Sequence, residues 1–260
     1  MHLEDECSDI VKKAREGLGL SIRALADSAG VSPRTIVALE SYKEGLLKSV
    51  ADALSLSYEK LTAVYENTSM TDPVVFPDDP TCTAMCFEIE ASGTTANAYI
   101  VREEEKKTAV LIDGIGASKD ALHFIKHMRL VPESLLITHG HFDHTAGIEA
   151  LKQVFPSMAV YLAGKDILKD CNIPSRNFHI QALTTPGHSE DAVCYVVNGK
   201  VMFVGDTIFA GSVGRPNYDY NQLLENIRNK IFTLPDNTIL APGHGPLTTV
   251  GEEKKNNPFF

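Results

Sequence analysis

Near the middle of the chain runs the sequence Thr138-His139-Gly140-His141-Phe142-Asp143-His144. It places three imidazoles and one carboxylate within six residues. The apolar run Leu135-Leu136-Ile137 comes directly before it, so a short strand is expected to deliver all four side chains into one loop. Imidazole nitrogens and carboxylate oxygens are ligands that suit zinc, iron or manganese. The stretch therefore predicts a metal site.

Two further histidines lie downstream in turns rich in proline and glycine. His188 is in Thr185-Pro186-Gly187-His188-Ser189, and His244 is in Pro242-Gly243-His244-Gly245-Pro246. Between them, the apolar run 201–204 leads into Gly205-Asp206-Thr207, so a strand is expected to end on an aspartate. A polar loop with a chance excess of histidine is the simpler alternative. However, five of the nine histidines in the chain lie in these motifs, and this clustering favours a role as metal ligands.

In this order, the motifs resemble those of metallo-β-lactamase-fold hydrolases, and especially the glyoxalase II branch with its short bacterial relatives. The resemblance covers about residues 83–260 and includes Gly205-Asp206-Thr207-Ile208-Phe209. It implies an α/β fold, a four-layer αββα sandwich. It carries no information about residues 1–82.

The resemblance also implies a role for each residue of the motifs. One metal ion would be held by His139, His141 and His188, a second by Asp143, His144 and His244, and Asp206 would bridge them. The implied cofactors are two divalent ions, with zinc as the first choice and iron or manganese as alternatives. A hydroxide between the ions would attack a carbonyl carbon, and Asp143 would orient it and pass on its proton.

The function implied is that of a metallo-hydrolase, with a small-molecule thioester as substrate, because the related enzymes cleave hydroxyacyl-glutathione. In full glyoxalase II a helical extension supplies cationic residues for the glutathione carboxylates, whereas only 16 residues follow His244 here. Arg215, in Gly211-Ser212-Val213-Gly214-Arg215, is a candidate contact for an anionic substrate. A structural arginine in a loop is the alternative.

Two other functions stay open. Related persulfide dioxygenases hold one ferrous ion through the equivalents of His139, His188 and Asp206, and they need open iron positions for dioxygen and persulfide. The other possibility is a DNA-binding transcriptional regulator, in which the metallo-β-lactamase-fold domain senses a ligand. The number of metal ions per chain separates the first alternative from a hydrolase.

Residues 8–65 are predicted to form short helices, because apolar residues recur at three- and four-residue intervals and no run alternates as a strand does. Ser21 is expected to cap one helix, and Gly30 to form a turn. Ser32 is expected to cap the next helix, with Pro33 in its first position. A helix, a glycine turn and a capped helix together are typical of a helix-turn-helix.

This region resembles the Cro/cI-like helix-turn-helix family through Leu25-Ala26, Gly30-Val31-Ser32 and Thr35-Ile36. In that family the third helix enters the major groove, so the resemblance implies that Ser32, Arg34 and Thr35 face DNA. Residues 1–66 carry 8 basic and 11 acidic residues, a net charge of −3, whereas phosphate contacts supply most non-specific affinity. DNA binding is therefore weighed against a role in dimerisation or protein contact.

Prolines beside acidic residues mark a boundary at Asp72-Pro73 and Asp79-Pro80. We expect a helix-turn-helix domain at 1–66, a linker at 67–82 and a metallo-β-lactamase-fold domain at 83–260. Within the last domain, β-branched and apolar runs predict strands at 85–89, 98–101, 108–112, 135–137, 159–162, 182–183, 193–197, 201–204 and 238–240. Helices are predicted at 118–128, 147–154 and 222–231.

Composition limits the remaining classes of protein. A formal net charge of −10 argues against a broad electrostatic surface for nucleic acid or membrane. No apolar stretch approaches the roughly 18 residues of a membrane span, and the five cysteines form no CxxC pair. We expect a cytoplasmic protein with reduced thiols, with a homodimer left open.

Overall fold

The computed structural model describes residues 3–41, 47–66, 74–76, 78–79, 82–91 and 93–260. Of the predicted linker, residues 67–73, 77, 80 and 81 lie outside this description. Within the described residues, no helix is both long and apolar enough to cross a membrane.

Five helices fill the N-terminal region: α1 (Cys7–Gly17), α2 (Ile22–Ala29), α3 (Pro33–Ser41), α4 (Lys48–Ala53) and α5 (Tyr58–Tyr65). The Ser21 hydroxyl accepts a hydrogen bond from the Ala24 amide at 3.1 Å, and Ser32 does the same for the Thr35 amide at 3.2 Å. Gly30 ends α2 with a φ of 68°, a conformation that glycine adopts without strain. The predicted caps and turn are confirmed.

The first sheet has five strands in the order of the chain. They are β1 (Thr83–Ala91), β2 (Thr94–Glu103), β3 (Thr108–Ile112), β4 (Val131–Ile137) and β5 (Ala159–Leu162). Strands β3, β4 and β5 are parallel. The connections carry α6 (Lys119–His127), the short α7 (Phe142–Thr145) and α8 (Ile148–Val154).

The second sheet follows in the chain with β6 (Cys171–Ile173), β7 (Ile180–Thr184), β8 (Val193–Val197) and β9 (Val201–Gly205). A small hairpin, β10 (Ile208–Phe209) and β11 (Ser212–Val213), precedes helix α9 (Tyr220–Asn226) and a π-helical turn (Ile227–Ile231). Strands β12 (Ile239–Pro242) and β13 (Thr248–Thr249) and helix α10 (Val250–Asn256) complete the chain. The sheet order is β13-β12-β9-β8-β7-β6.

Successive side chains of a strand point to opposite faces of its sheet, so each sheet packs against the other sheet on one face and against helices on the other. Tyr99 of β2 and Tyr195 of β8 are buried in the core between the two sheets. Ile100 faces the other way and packs in the cluster that contains Ala121 of α6, while Cys194 lies in the cluster that contains α9. The result is the predicted αββα sandwich.

The helical region packs directly against the second sheet's outer layer. One apolar cluster contains residues of α1, α4 and α5 together with Tyr220 and Leu223 of α9. The Ser57 amide donates to the Pro258 carbonyl at 2.8 Å, and Lys60 Nζ donates to the Phe260 carbonyl at 2.6 Å. Hydrophobic burial and hydrogen bonds therefore join the two parts of the chain.

The predicted elements are confirmed, with local differences. Helix 222–231 begins as α9 and continues as the π-helical turn. Strands β6 and β13, the β10–β11 hairpin and helix α10 were not predicted from the sequence. The two hairpin strands have two residues each, which is too short for an alternating pattern to be seen.

Glu253 of α10 is a buried carboxylate that holds the β10–β11 hairpin. Its Oε1 accepts a hydrogen bond from the Thr248 hydroxyl at 2.6 Å, and its Oε2 accepts one from Asn257 Nδ2 at 2.7 Å. The Gly211 amide donates to Oε2 at 3.1 Å. Burial, partly offset by these hydrogen bonds, raises the pKa of Glu253 from 4.5 to about 7.

This pKa shift predicts a pH-dependent stability that Glu253→Gln removes. The folded protein binds the Glu253 proton more tightly, so the contribution is fully present below pH 4.5 and is lost as the pH rises through about 7. Wild type should lose about 3 kcal/mol of unfolding free energy across this range relative to E253Q. Gln can donate to the Thr248 hydroxyl and accept from Asn257, so it keeps the packing.

Urea denaturation at pH 5, 6, 7 and 8 measures the difference. Glu149→Gln on exposed α8 is the matched control and should follow wild type at every pH. Parallel pH profiles for wild type and E253Q would contradict the role given to Glu253.

Candidate metal centre

The site lies where several strands end at one edge of the sandwich. Strands β9 and β12 are parallel neighbours, with Gly205 opposite Pro242, so Asp206 and His244 leave the sheet side by side. Strands β3 and β4 are also parallel, with Ile112 opposite Leu136. The metal loop that begins at Thr138 therefore starts beside the residues that follow β3.

The seven side chains proposed as ligands come together in two neighbouring groups. One contains His139, His141, His188 and Asp206, and the other contains Asp143, His144 and His244. Within each group, one potential ligand atom of every residue lies within 4.8 Å of all the others. Their role as metal ligands stays a prediction, but their convergence from four separate segments is an observed feature of the fold.

The Asp206 carboxylate lies between the two groups. Its Oδ1 is 3.3 Å from His144 Nε2, and its Oδ2 is 3.4 Å from His244 Nε2. The same Oδ2 is 3.6 Å from His188 Nε2. One carboxylate thus faces imidazoles of both groups, as a bridging ligand must.

Three imidazole nitrogens converge in the first group. His141 Nδ1 is 2.9 Å from His139 Nε2 and 3.1 Å from His188 Nε2. Two nitrogens without a proton between them repel at these distances, so a shared cation would stabilise the arrangement.

Backbone carbonyls fix the orientation of two of the histidines. His188 Nδ1 is 2.8 Å from the Arg215 carbonyl, and His244 Nδ1 is 2.7 Å from the Thr95 carbonyl. Because a carbonyl can only accept, each Nδ1 carries the hydrogen and each Nε2 keeps its lone pair. Such bonds fix both the tautomer and the ring direction of a metal-binding histidine.

Asp113 orients a third histidine, a role that was not predicted from the sequence. Its Oδ2 is 3.0 Å from His144 Nδ1 and accepts a hydrogen bond from the Thr138 hydroxyl at 2.9 Å. Its Oδ1 accepts one from the Thr138 amide at 2.8 Å. The available signal was a carboxylate at the end of β3, which parallel pairing with β4 places beside the metal loop.

Electrostatics differ between the two groups. Burial would lower the pKa of His144 and of His244, but Asp113 and Asp206 raise the first well above its usual value and Asp206 raises the second, so metal binding there displaces protons. Burial lowers the pKa of His139 well below its usual value and also lowers that of His188. Burial alone would raise the pKa of Asp206, but the neighbouring imidazoles of His144 and His244 hold it well below its usual value. Neutral imidazoles and an ionised carboxylate are the forms that bind divalent ions.

The donor atoms fit a divalent ion on two grounds. His144 Nε2 and Asp206 Oδ1 are fully buried and neither has a hydrogen bond among the described residues, although they lie 3.3 Å apart. Buried polar atoms without partners are costly, and a cation between them would satisfy both. The second ground is chemical, since the set of imidazoles and carboxylates suits zinc or iron.

Gly243 allows the two groups to approach closely. A Cβ at this position would lie 2.3 Å from Asp206 Oδ1 and 2.6 Å from His144 Cε1. Any side chain there would displace the bridging carboxylate or the histidine, so the spacing of the site requires glycine.

The remaining predicted site residues lie apart from the seven ligands. The side chain of Arg215 is exposed, and only its carbonyl contacts the site, through His188. Ser32 and Arg34 are exposed at the start of α3, while Thr35 is half-buried. Thr35 Oγ1 lies 2.9 Å from the Ser32 hydroxyl, so these two side chains are engaged with each other. Substrate and DNA contacts by these residues stay predictions.

Two facing sheets lie between helical layers, with two adjacent groups of candidate metal ligands at one edge. The family described as "Metallo-beta-lactamase superfamily" matches residues 91–166 and 161–244. The chain belongs to this superfamily. A second family, "Helix-turn-helix", matches residues 11–61. The resemblances inferred from the sequence are confirmed.

Individual proteins show the same relationship. The chain is 32% identical over 198 residues to "Hydroxyacylglutathione hydrolase GloC" of Haemophilus influenzae, over 63% of this chain and 92% of that protein. The structure of "BLEG-1 B3 metallo-beta-lactamase" is 33% identical, with a TM-score of 0.60 over 67% of this chain and 99% of that one. "TTHA1623 in a di-iron-bound form" is 30% identical, with a TM-score of 0.54 over 67% of this chain and 100% of that one.

The orienting bond from Asp113 predicts that Asp113→Asn weakens metal binding. An Asn amide in place of Oδ2 would face the Nδ1 hydrogen of His144, so the imidazole would move its proton to Nε2 and lose its ligand lone pair. Loss of such a supporting group costs about 10–100-fold in metal affinity. Competition with a chromophoric chelator measures this change.

Asp236→Asn provides the control, because Asp236 pairs with Lys254 at the surface and should leave the affinity unchanged. An affinity in D113N equal to that of wild type would show that Asp113 does not position His144 for a metal ion.

Proposed function

We propose that this protein is a metal-dependent hydrolase that cleaves thioesters by the addition of water. The observation that carries the proposal is the position of Asp206, whose two oxygens face both groups of ligands. His139, His141 and His188 would hold one divalent ion, Asp143, His144 and His244 a second, and Asp206 would contact both. When bound, such ions lower the pKa of water and polarise a substrate carbonyl.

Asp143 is the side chain placed to move the proton. It is only half-buried, and its Oδ2 lies 3.6 Å from His244 Nε2 and 3.9 Å from His144 Nε2. It takes a proton from the attacking water and returns one to the departing sulfur, so that the products are a carboxylic acid and a thiol. The more deeply buried Asp206 has no such access to solvent.

The thioester class is supported by the likeness to the hydroxyacylglutathione hydrolase of Haemophilus influenzae. The buried cysteines do not compete as nucleophiles, since burial raises the pKa of Cys194 to about 11 and that of Cys7 to about 12. A thiol protonated at neutral pH is a poor nucleophile. Water is therefore the attacking group that best matches this site.

The second ligand group favours hydrolysis over a persulfide dioxygenase with one ferrous ion. His144 is held by Asp113 at 3.0 Å and His244 by the Thr95 carbonyl at 2.7 Å. Both bonds turn a ring nitrogen towards Asp206. A second ion would use both rings as ligands, whereas an enzyme that bound a single ion through His139, His188 and Asp206 would need neither.

Metal content and the variant His144→Ala distinguish these functions. Wild type should bind about two divalent ions per chain and hydrolyse an acyl thioester, while H144A should retain about one ion and lose at least ~100-fold in kcat/KM. Elemental analysis and thiol release are the two measurements. One iron ion per chain in wild type, with oxygen consumption that persists in H144A, would instead support the dioxygenase.

Asp206→Ala is the companion variant, because it removes the carboxylate that both groups share. It should lose most of its metal and its activity together. Asp166→Asn, in the loop after β5, keeps the site intact and should behave as wild type. Thiol release by metal-depleted D206A at the wild-type rate would refute the mechanism.

A second function, binding to DNA, is supported by the match of residues 11–61 to the helix-turn-helix family. Ser32 and Arg34 are exposed at the start of α3, the end that reads bases in this kind of domain. The helical region packs on the sandwich through α1 and α5. The exposed start of α3 is therefore compatible with a partner.

If the domain binds the DNA upstream of its own gene, a gel shift at 50 mM salt should disappear at 200 mM salt. Arg34→Ala should weaken binding by roughly 10-fold, which is the loss expected for one arginine that contacts a base or phosphate. Arg129→Ala, on an exposed residue after α6, is the matched loss of charge and should change little. Absence of any shift at low salt would favour a role in protein contact.

A further inference from the structure

The chain segment before α1 reaches the metal centre. We call residues 3–6 the N-terminal arm. A Cβ on Gly245 would lie 3.0 Å from the Glu4 Cβ and 3.3 Å from the Glu4 amide nitrogen. Gly245 directly follows His244, so the arm packs against the loop that carries this ligand. A residue of the helical region thus stands beside the second ligand group.

The Glu4 carboxylate also interacts through charge with two of the candidate ligands. Burial raises the pKa of Glu4, and among nearby charges His244 has the largest effect, which lowers it. Asp206 acts on Glu4 as well, in the opposite direction. The side chain remains exposed, so it faces solvent beside the His244 loop rather than the core.

The arm is held in place by a buried ion pair. Lys13 Nζ is 2.5 Å from Asp5 Oδ2 and donates to the Val213 carbonyl at 2.9 Å. It also lies 4.9 Å from the centre of the Phe209 ring, which in turn meets His244 edge to face at 5.9 Å. Helix α1, the β10–β11 hairpin and the loop that carries His244 therefore form one wall.

The negative charge of Glu4 is not neutralised by this arrangement. Lys13, the α1 cation that acts on Glu4, is already paired with Asp5. Among the residues that the structure describes, none forms an ion pair or hydrogen bond with the Glu4 carboxylate. Its field therefore extends into the solvent beside His244, where screening by water reduces it without removing it.

We propose that Glu4, supplied by the helical region, is a specificity-determining residue of the hydrolase that selects substrates whose thiol portion is cationic or neutral over those whose thiol portion is anionic. The inference rests on the metal centre of the proposed function and deepens it by naming the charge of the substrate. An anionic thiol portion beside His244 meets a like charge, whereas an ammonium group meets an opposite one.

Binding of three small thiols to the cobalt-loaded protein tests this selection without relying on turnover. Cysteamine, 2-mercaptoethanol and 3-mercaptopropionate carry charges of about +1, 0 and −1 at neutral pH, and the cobalt–thiolate absorption band reports their dissociation constants. Wild type should bind cysteamine most tightly and 3-mercaptopropionate most weakly. In Glu4→Gln the ratio of these two constants should shrink by about 5-fold or more, the effect of one nearby charge in a wet site.

Glu59→Gln makes the same change of charge on exposed α5 and is the matched control, so its ratio should equal that of wild type. Equal metal content and circular dichroism show that each variant is folded. A ratio in E4Q equal to that of wild type overturns the inference, as does tightest binding of 3-mercaptopropionate by wild type. Absence of a cobalt–thiolate band with all three thiols overturns it too, because no thiol then reaches this wall.

The acetyl thioesters of the same three thiols separate this inference from the proposed function. If both hold, kcat/KM follows the same order of charge and E4Q reduces the spread. If the three thiols bind in the expected order but none of their thioesters is hydrolysed, the proposed function fails while the role of Glu4 stands.

Discussion

One buried carboxylate sets the constraint on which the site depends. Asp206 is almost fully covered, and imidazoles from three other segments face it within 4.0 Å. A buried anion is costly unless it is paired, and imidazoles brought so close to one another are equally unfavourable without a cation. The arrangement is therefore stable only if the ends of β4, β9 and β12 meet at one edge. Glycine at 243 is part of the same constraint, since a side chain there would occupy the space of the carboxylate.

The sandwich fixes the orientation of the candidate ligand side chains. A histidine on a loop can rotate, and a metal site requires one ring nitrogen to point inward. Three fixed acceptors provide this: the Arg215 carbonyl for His188, the Thr95 carbonyl for His244 and the Asp113 carboxylate for His144. Because these acceptors lie on or beside the strands and the hairpin, the rigidity of the sheets is passed to the ligands.

The helical region forms a helix-turn-helix and also packs against the sandwich. Its apolar residues join those of α9 and α10 in one cluster over the second sheet, so each part of the chain covers surface that the other would expose to water. Lys13 and Lys60 add polar contacts with Val213 and Phe260. Packing through α1 and α5 explains how one small domain can present the start of α3 outward and still place its N-terminal arm at the metal centre.

The sequence by itself determined the two kinds of domain, most strands and helices, and the seven candidate ligands, because caps, periodic patterns and motifs such as Gly205-Asp206-Thr207 are local signals. Only the tertiary structure decided the positions of Asp113, Glu253 and Glu4. Each acts through contacts with residues far away in the chain, as Glu4 does with Gly245, and no local pattern encodes such a contact. Strand pairing and domain packing bring these groups together, so their roles follow from the folded arrangement of the chain.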